Sequence, residues 1–472
     1  MPGRPLLRSR LFARVAVVLS LLGAALVVAS EAPVHAVTSH RPLNDTRAVV
    51  TTPVRVGFPV EYVGVVAELA PHTHLAESGR APYGEVRFAV AGRWGAWQAF
   101  GQDGAQAAGT FTSALVSAED ADAYQVRGLP AAGRRWRVAA LNTTDGPEVV
   151  VGHVRAAARA ASGACLSRAD WGADESLTAW SKGTDTPAFA PVQVLTVHHT
   201  AGSNDPAQDY AATVRAIYSY HVTTNGWSDI GYQYLVDGRG ALYEGRSTGR
   251  TSTSCLSAGG DGSDFAHQPS TGHVVTGAHA AGYNSGNAGV ALMGCYDATS
   301  ACTGSTTAPT AAVDGLEQLL ASLSTRHALD PQGTTHYVNP VSGVTKDVAT
   351  ISGHRDWEAT ACPGGTLYAQ LPQIRADVKA RTTGSAPAPA PAPAPAAITS
   401  ASCSGKSCSF TGTGTGTLRW TFGNGRTASG ASVSTTYGAA GTYAVTVTDG
   451  QPTSASRQVT CTTVRKQVRC ST

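Results

Sequence analysis

The chain has 472 residues, too many for one hydrophobic core, so two or three domains are expected. Only 14% of the residues are charged and 52 are glycine, a composition that suits β-rich exported modules better than cytosolic helical ones. The formal charge of +3 falls by 3, to about 0, once residues 1–36 with Arg4, Arg8, Arg10, Arg14 and Glu31 are set aside, so net charge gives no support for nucleic acid as a partner.

Residues 1–36 read as a secretory leader: a basic start, an apolar run from Val15 to Ala29, and Val34-His35-Ala36 as the cleavage site. The run is too short to span a bilayer comfortably, and no later segment is apolar enough, so no stable membrane span is expected after cleavage. The expected location is outside the cell or at its wall. The nine cysteines agree with export: with Cys362 set aside as a metal thiolate, eight remain, enough for four disulfides. Cys295–Cys302 is the most plausible local pair; spacing leaves the other pairings open.

Residues 40–155 carry short apolar segments, Val54–Val60, Tyr62–Val66, Glu85–Val90, Tyr124–Val126 and Trp136–Leu141, punctuated by Gly and Pro. This predicts an antiparallel, sandwich-like β-domain. Trp94 and Trp97 sit at a hairpin tip or edge, placed to pack the domain's core or to stack on sugar rings.

Residues 165–382 mix α and β. Val192–Val197 reads as a buried central strand, and Pro206 to His221 has helical periodicity. Tyr232–Val236 and Ala241–Tyr243 flank Asp237-Gly238-Arg239-Gly240, a hairpin signal. Gly289–Met293 is a further strand, and Val313–His327 and Leu367–Arg381 are amphipathic helices. Residues 384–397 alternate Pro and Ala, a semi-rigid spacer of roughly 40 Å at about 3.1 Å per residue. Residues 398–472 form a small β-module with four cysteines.

Gly353-His354-Arg355-Asp356 and Ala361-Cys362-Pro363-Gly364 place a His and a Cys on one constrained loop, and Val197-His198-His199-Thr200-Ala201 supplies a second His at a strand end. Two nitrogens and a thiolate without a fourth protein ligand describe an open, catalytic Zn²⁺ site. Strand alternation lets only one of His198 and His199 face it.

Taken with Trp227-Ser228-Asp229-Ile230-Gly231-Tyr232 and Gly277-Ala278-His279 followed by Asn284, these motifs resemble the zinc-dependent N-acetylmuramoyl-L-alanine amidases of the peptidoglycan recognition protein family, and residues 40–155, with Gly92-Arg93-Trp94-Gly95-Ala96-Trp97 and Ala121-Asp122-Ala123-Tyr124-Gln125-Val126-Arg127, look like the β-domain that precedes this domain in secreted actinobacterial amidases. The amidase resemblance covers residues 165–382 and implies an α/β domain, a mixed central sheet with flanking helices. It implies His198, His354 and Cys362 as zinc ligands, and Tyr232 as the tyrosine that contacts the attacking water. Thr360 stands where relatives carry a lysine or threonine aimed at the oxyanion. His279, Asn284 and His199 are implied as substrate contacts. Glu358 and Asp356 are candidates to orient a ligand His. Residues 246–272, with Cys255, Asp261, Asp264 and His267, depart from the family pattern as an inserted loop. Residues 398–472 resemble a polycystic-kidney-disease-type β-sandwich through Trp420-Thr421-Phe422-Gly423-Asn424-Gly425, without its two usual acidic residues.

The implied function is hydrolysis of the amide between N-acetylmuramic acid and L-alanine in bacterial peptidoglycan. The alternative is a non-catalytic peptidoglycan-binding protein, whose kind characteristically lacks the ligand cysteine that Cys362 supplies. A structural metal is disfavoured by the missing fourth ligand. The chain is silent on oligomeric state.

Overall fold

The computed structural model describes residues 34–70, 75, 83–103, 109–155, 165–248, 272–298, 302, 305–384, 396–414, 418–448, 455–464 and 467–471. Nearly all of the leader, most of the inserted loop and most of the Pro-Ala spacer lie outside these residues. Among them, no helix is long and apolar enough to cross a membrane.

The N-terminal domain is all β: β1 (Val34–His40), β2 (Leu43–Ala48), β3 (Val60–Glu68), β4 (Glu85–Val90), β5 (Arg93–Trp94), β6 (Gln98–Ala99), β7 (Thr110–Thr112), β8 (Val116–Ala121), β9 (Ala123–Arg127), β10 (Arg134–Asn142) and β11 (Glu148–Arg155). Its first described strand, β1, pairs antiparallel with β11 from Val34↔Arg155 onward. One sheet runs β2-β10-β3-β7 with β8 on β3; another runs β5-β4-β6 with β9 on β4. Val63, Val65, Val138 and Ala140 of the first meet Val86, Phe88, Tyr124 and Val126 of the second in one core. Val54–Val60, expected as a strand, holds only a bridge from Val54 to Tyr124 before β3 begins.

Trp94 and Trp97 lie outside that core. Arg87 stacks on both rings, 4.7 and 4.6 Å from their centroids, and Arg127 lies 4.0 Å over Trp97. Trp94 is 37% exposed and lines a cleft of about 580 Å³ that also touches Ala201–Ser203 of the next domain.

The second domain contains β12 (Cys165–Leu166), α1 (Arg168–Trp171), β13 (Phe189–Pro191), β14 (Val194–His199), α2 (Tyr210–Ser219), β15 (Tyr234–Val236), β16 (Leu242–Glu244), β17 (His273–Val275), β18 (Asn287–Leu292), α3 (Thr310–Arg326), the hairpin β19 (Thr334–Val338) and β20 (Thr345–Ala349), β21 (Ile351–Gly353) and α4 (Gly365–Thr382). Its six-stranded sheet has the order β12-β16-β15-β18-β14-β21, and only the β15–β16 pair is antiparallel. On one face Leu195, Val197, Val290 and Ile351 pack against Leu316, Leu320, Leu371 and Ile374 of α3 and α4. On the other, Leu235, Ala291 and Met293 pack against Tyr210, Val214 and Ile217 of α2.

That second core does not end with the domain. Val66, Leu115, Ala139 and Leu141 of the N-terminal domain belong to it. Helix α2 runs on into a π-helical turn, Tyr220–Thr224, a single wide turn of the kind that recurs at functional sites. It turns Tyr220 so that its hydroxyl donates to Val65 O at 2.9 Å. Gly64 makes the approach possible, since a Cβ there would fall 2.7 Å from the Tyr220 ring. Polar contacts rim the seam: Arg41 pairs with Asp174 at 2.7 Å, and Arg137 donates to Thr224 O at 3.1 Å.

The C-terminal module comprises β22 (Ala397–Ser404), β23 (Ser407–Thr413), β24 (Arg419–Thr421), β25 (Thr427–Ser429), β26 (Ser432–Thr436), β27 (Gly441–Thr448), β28 (Ala455–Val464) and β29 (Gln467–Ser471). Two antiparallel sheets, β22-β23-β26 and β25-β24-β27-β28-β29, enclose Phe410, Trp420, Phe422, Val445 and Val447. Disulfides Cys403–Cys408 and Cys461–Cys470 each staple one hairpin. Cys295–Cys302 is bonded, and Cys362 is buried and forms no disulfide. Cys255 lies outside the described residues.

Candidate metal centre

Strands β14 and β21 run parallel side by side, with Val197 opposite Gly353. Both end at the same edge of the sheet, where parallel α/β folds gather their ligands. His198 is on the last turn of pleat in β14, and its side chain follows Thr196 onto the face opposite Leu195 and Val197. His354 begins a 3₁₀ turn directly after β21. The loop that follows folds back on itself: Gly353 N donates to Asp356 Oδ2 at 2.8 Å, Arg355 N to Cys362 O at 2.9 Å, and Cys362 N to the Thr360 hydroxyl at 3.2 Å. The Trp357 indole anchors the loop to the sheet through Thr196 Oγ1 at 2.8 Å and Ser352 Oγ at 3.0 Å.

The result brings His198, His354 and Cys362 together, each with one ligand atom within 4.8 Å of the others. All three are buried, at 0%, 0% and 2% exposure. His198 Nδ1 and Cys362 Sγ are 3.6 Å apart. A tetrahedral zinc with Zn–N of about 2.0–2.1 Å and Zn–S of about 2.3 Å places N and S about 3.6 Å apart, so this edge already has the dimension the metal requires.

The tautomers follow from the hydrogen bonds. Asn287 O can only accept, so His279 Nε2, 3.2 Å away, carries that ring's hydrogen. Burial pulls the His279 pKa down to about 3, which keeps the ring neutral and leaves Nδ1 as an acceptor. His198 Nε2, 3.0 Å from that Nδ1, therefore carries its hydrogen and turns a lone pair on Nδ1 toward Cys362. His354 Nε2 lies 2.6 Å from Glu358 Oε1 and donates to it. Its Nδ1 is buried with no hydrogen-bond partner among the described residues. An orphaned imidazole lone pair in a dry site is costly unless a metal takes it. The donor set fits zinc: two neutral imidazoles held by acceptors behind them and one thiol.

The remaining candidates fall into place around this set. Glu358 contacts His354 and also accepts the Ala281 N–H at 3.1 Å, whereas Asp356 turns away, to Gly353 N and to the Tyr368 hydroxyl at 2.6 Å. His279, named from sequence as a substrate contact, is fully buried behind His198. Asn284 holds the loop that carries it, with Oδ1 accepting from His279 N at 2.7 Å and Ala280 N at 2.9 Å. His199 points to the opposite face, where Tyr296 N donates to its Nδ1 at 3.2 Å and burial lowers its pKa to about 4. Tyr232 is on the metal side: its ring centroid is 5.3 Å from that of His198.

Two residues were not identified from sequence. Asp103, from the N-terminal domain, accepts from the Tyr232 hydroxyl, and His221, in the π-helical turn, meets the other oxygen of that carboxylate. His221 had a signal, a polar residue closing an otherwise apolar helical stripe. Asp103 had none, because only tertiary folding brings it there.

Residues 188–365 match the family model described as N-acetylmuramoyl-L-alanine amidase, and residues 388–464 match that of the PKD domain. The human N-acetylmuramoyl-L-alanine amidase is 31% identical over 202 residues, which cover 41% of this chain and 27% of that protein. Peptidoglycan-recognition protein SC2 of Drosophila simulans is 27% identical over 207 residues, covering 44% of this chain and 83% of the relative. Among solved structures, Drosophila PGRP-LB is 25% identical with a TM-score of 0.28, covering 44% of this chain and 91% of that one. The chain thus spans just over a quarter of the human relative's length. The two family models and the curated relatives support an amidase-family domain followed by a PKD domain.

Proposed function

We propose that the protein is an exported zinc-dependent N-acetylmuramoyl-L-alanine amidase that acts on bacterial peptidoglycan. The observation that carries this reading is the pair of lone pairs and the thiol converging on one point: His198 Nδ1, the orphaned His354 Nδ1 and Cys362 Sγ. The amidase match over residues 188–365 supports that amide as the bond cleaved. Export rests on the leader-like residues 1–36 and the disulfides.

When bound, zinc supplies a Lewis acid that lowers the pKa of water toward about 7 and polarises a carbonyl. The chain's own residues do the rest. Glu358 and His279 keep the two imidazoles aimed. Tyr232 orients water for attack on the lactyl carbonyl carbon. The Thr360 hydroxyl accepts from Cys362 N and so keeps its own hydrogen to donate toward the substrate oxygen. The C–N bond breaks, the leaving L-alanine nitrogen takes up a proton from the attacking water, and a free lactyl carboxyl remains.

The test is incubation of purified protein with muropeptides, with zinc and with chelator, read by mass spectrometry. Separated glycan and stem peptide with zinc alone is the expected result. Muropeptides that stay bound but intact would instead identify a recognition protein without catalysis.

A further inference from the structure

The Tyr232 hydroxyl donates to Asp103 Oδ1 at 2.8 Å. Asp103 comes from the N-terminal domain, far outside the amidase-matching residues 188–365. Its other oxygen, Oδ2, lies 2.8 Å from His221 Nε2. His221 Nδ1 accepts the Gly231 N–H at 3.1 Å, so the hydrogen of the neutral ring is on Nε2 and is donated to the carboxylate. Asp103 is itself anchored, its N–H donating to Thr112 O at 3.0 Å. The three side chains are buried, at 4% exposure for Asp103 and 0% for Tyr232 and His221.

The direction of this hydrogen bond decides what Tyr232 can do. A phenol has a single hydrogen, and here it is given to a carboxylate oxygen. The phenol hydrogen is therefore committed to Asp103, which leaves the phenol oxygen lone pairs with which to accept, on a ring whose centroid is 5.3 Å from that of His198. A tyrosine held so can accept from water; it cannot at the same time donate to an oxyanion.

We propose that Asp103 is a positioning residue of the amidase site, contributed by the N-terminal domain, which holds Tyr232 as a hydrogen-bond acceptor for the attacking water. The assignment rests on the amidase reading. It requires the N-terminal domain to be a permanent wall of the site, and the seam supports that. Val66, Leu115, Ala139 and Leu141 are buried in the same cluster as Tyr210, Val214, Ile217 and Tyr220, and hydrophobic interfaces of this kind hold domains in place.

The experiment is a double-mutant cycle in the full-length zinc protein. Asp103→Asn is expected to lower kcat on the order of 10–100-fold, as loss of an orienting partner does, with KM and zinc affinity by chelator competition little changed. Tyr232→Phe should lower kcat by at least as much. The double variant should be no slower than Tyr232→Phe alone, because Asp103 acts only through that hydroxyl. Multiplying losses, or wild-type kcat in Asp103→Asn, would overturn the assignment while leaving the amidase reading intact. A wild type that fails to hydrolyse muropeptides with zinc would sink the amidase reading itself.

A second variant covers misfolding of Asp103→Asn. A Cβ on Gly101 falls 3.2 Å from the Ala201 Cβ, so the two segments need part by only a few tenths of an ångström to reach the span of a disulfide across the seam, about 3.5–4.5 Å. Oxidised Gly101→Cys/Ala201→Cys protein is expected to keep wild-type kcat. Activity that appears only on reduction would mean the domain is a removable cover, and would overturn the proposal.

Discussion

Gly289 lies directly under the imidazole of His279. A Cβ at Gly289 would fall 2.6 Å from His279 Cδ2 and 2.7 Å from Cγ, far inside contact distance. The strand is bare there because the ring behind His198 needs the space. Gly289→Ala is therefore expected to displace His279 and weaken zinc binding on the order of 10–100-fold without touching a ligand. Chelator competition measures it; wild-type affinity would show that the ring need not sit there.

Glu358→Gln should act on the other imidazole. The amide can still take the Ala281 N–H but is a weaker acceptor for His354 Nε2. A loss of roughly tenfold or more in zinc affinity is expected, with the apo protein's Tm unchanged.

Zinc itself should stabilise the fold. At a free concentration of about 100 times Kd, binding contributes about 2.7 kcal/mol, visible as a rise in Tm. Cys362→Ser should abolish that rise, and the same Tm with and without zinc in the wild type would contradict the metal site.

Much of this was readable from residues and spacing. His198, His354 and Cys362, which the fold brings together, stood out because each sits at an abrupt local boundary, the end of an apolar strand or a Gly- and Pro-locked loop. The strands β14 and β18 and the helices α2, α3 and α4 were predicted to within a few residues, since continuous apolar runs and helical periodicity mark buried elements. The hairpin β19–β20 was missed: its outward residues are polar or half-exposed, and its sequence lacks a clean alternation. The packing of His279 and Asn284 was also hidden, since nothing in a Gly-rich loop says that the imidazole will be buried against His198 or that the amide will brace the loop.

Glu244 gives a pH prediction independent of the metal. Burial pushes its pKa from 4.5 up to about 8, while its Oε2 accepts the Arg168 N–H at 2.9 Å. In the unfolded chain it ionises near the ordinary value, so the folded state holds a proton the unfolded state has lost. Its contribution to stability is full below about pH 4.5 and declines as pH rises through 8. Glu244→Gln keeps the acceptor and removes the ionisation. Its Tm should match wild type near pH 4.5 and exceed it above pH 8; equal Tm values at both would contradict a buried, protonated Glu244.

Gly64→Ala should report on the seam. The new methyl meets the ring of Tyr220, which is fully buried and tied to Val65 O, so neither side yields easily. A destabilisation of about 1–3 kcal/mol is expected by chemical denaturation, with both domains unfolding earlier. Loss confined to one domain would argue that the two cores melt independently.

The continuous core has a practical corollary for truncation. A fragment trimmed to residues 165–382 would bare the side of α2 that Val66, Leu115 and Leu141 now shield, along with the Tyr232 hydroxyl. Such a fragment should be sticky in solution and a poor catalyst, and the smallest useful unit keeps the N-terminal β-domain.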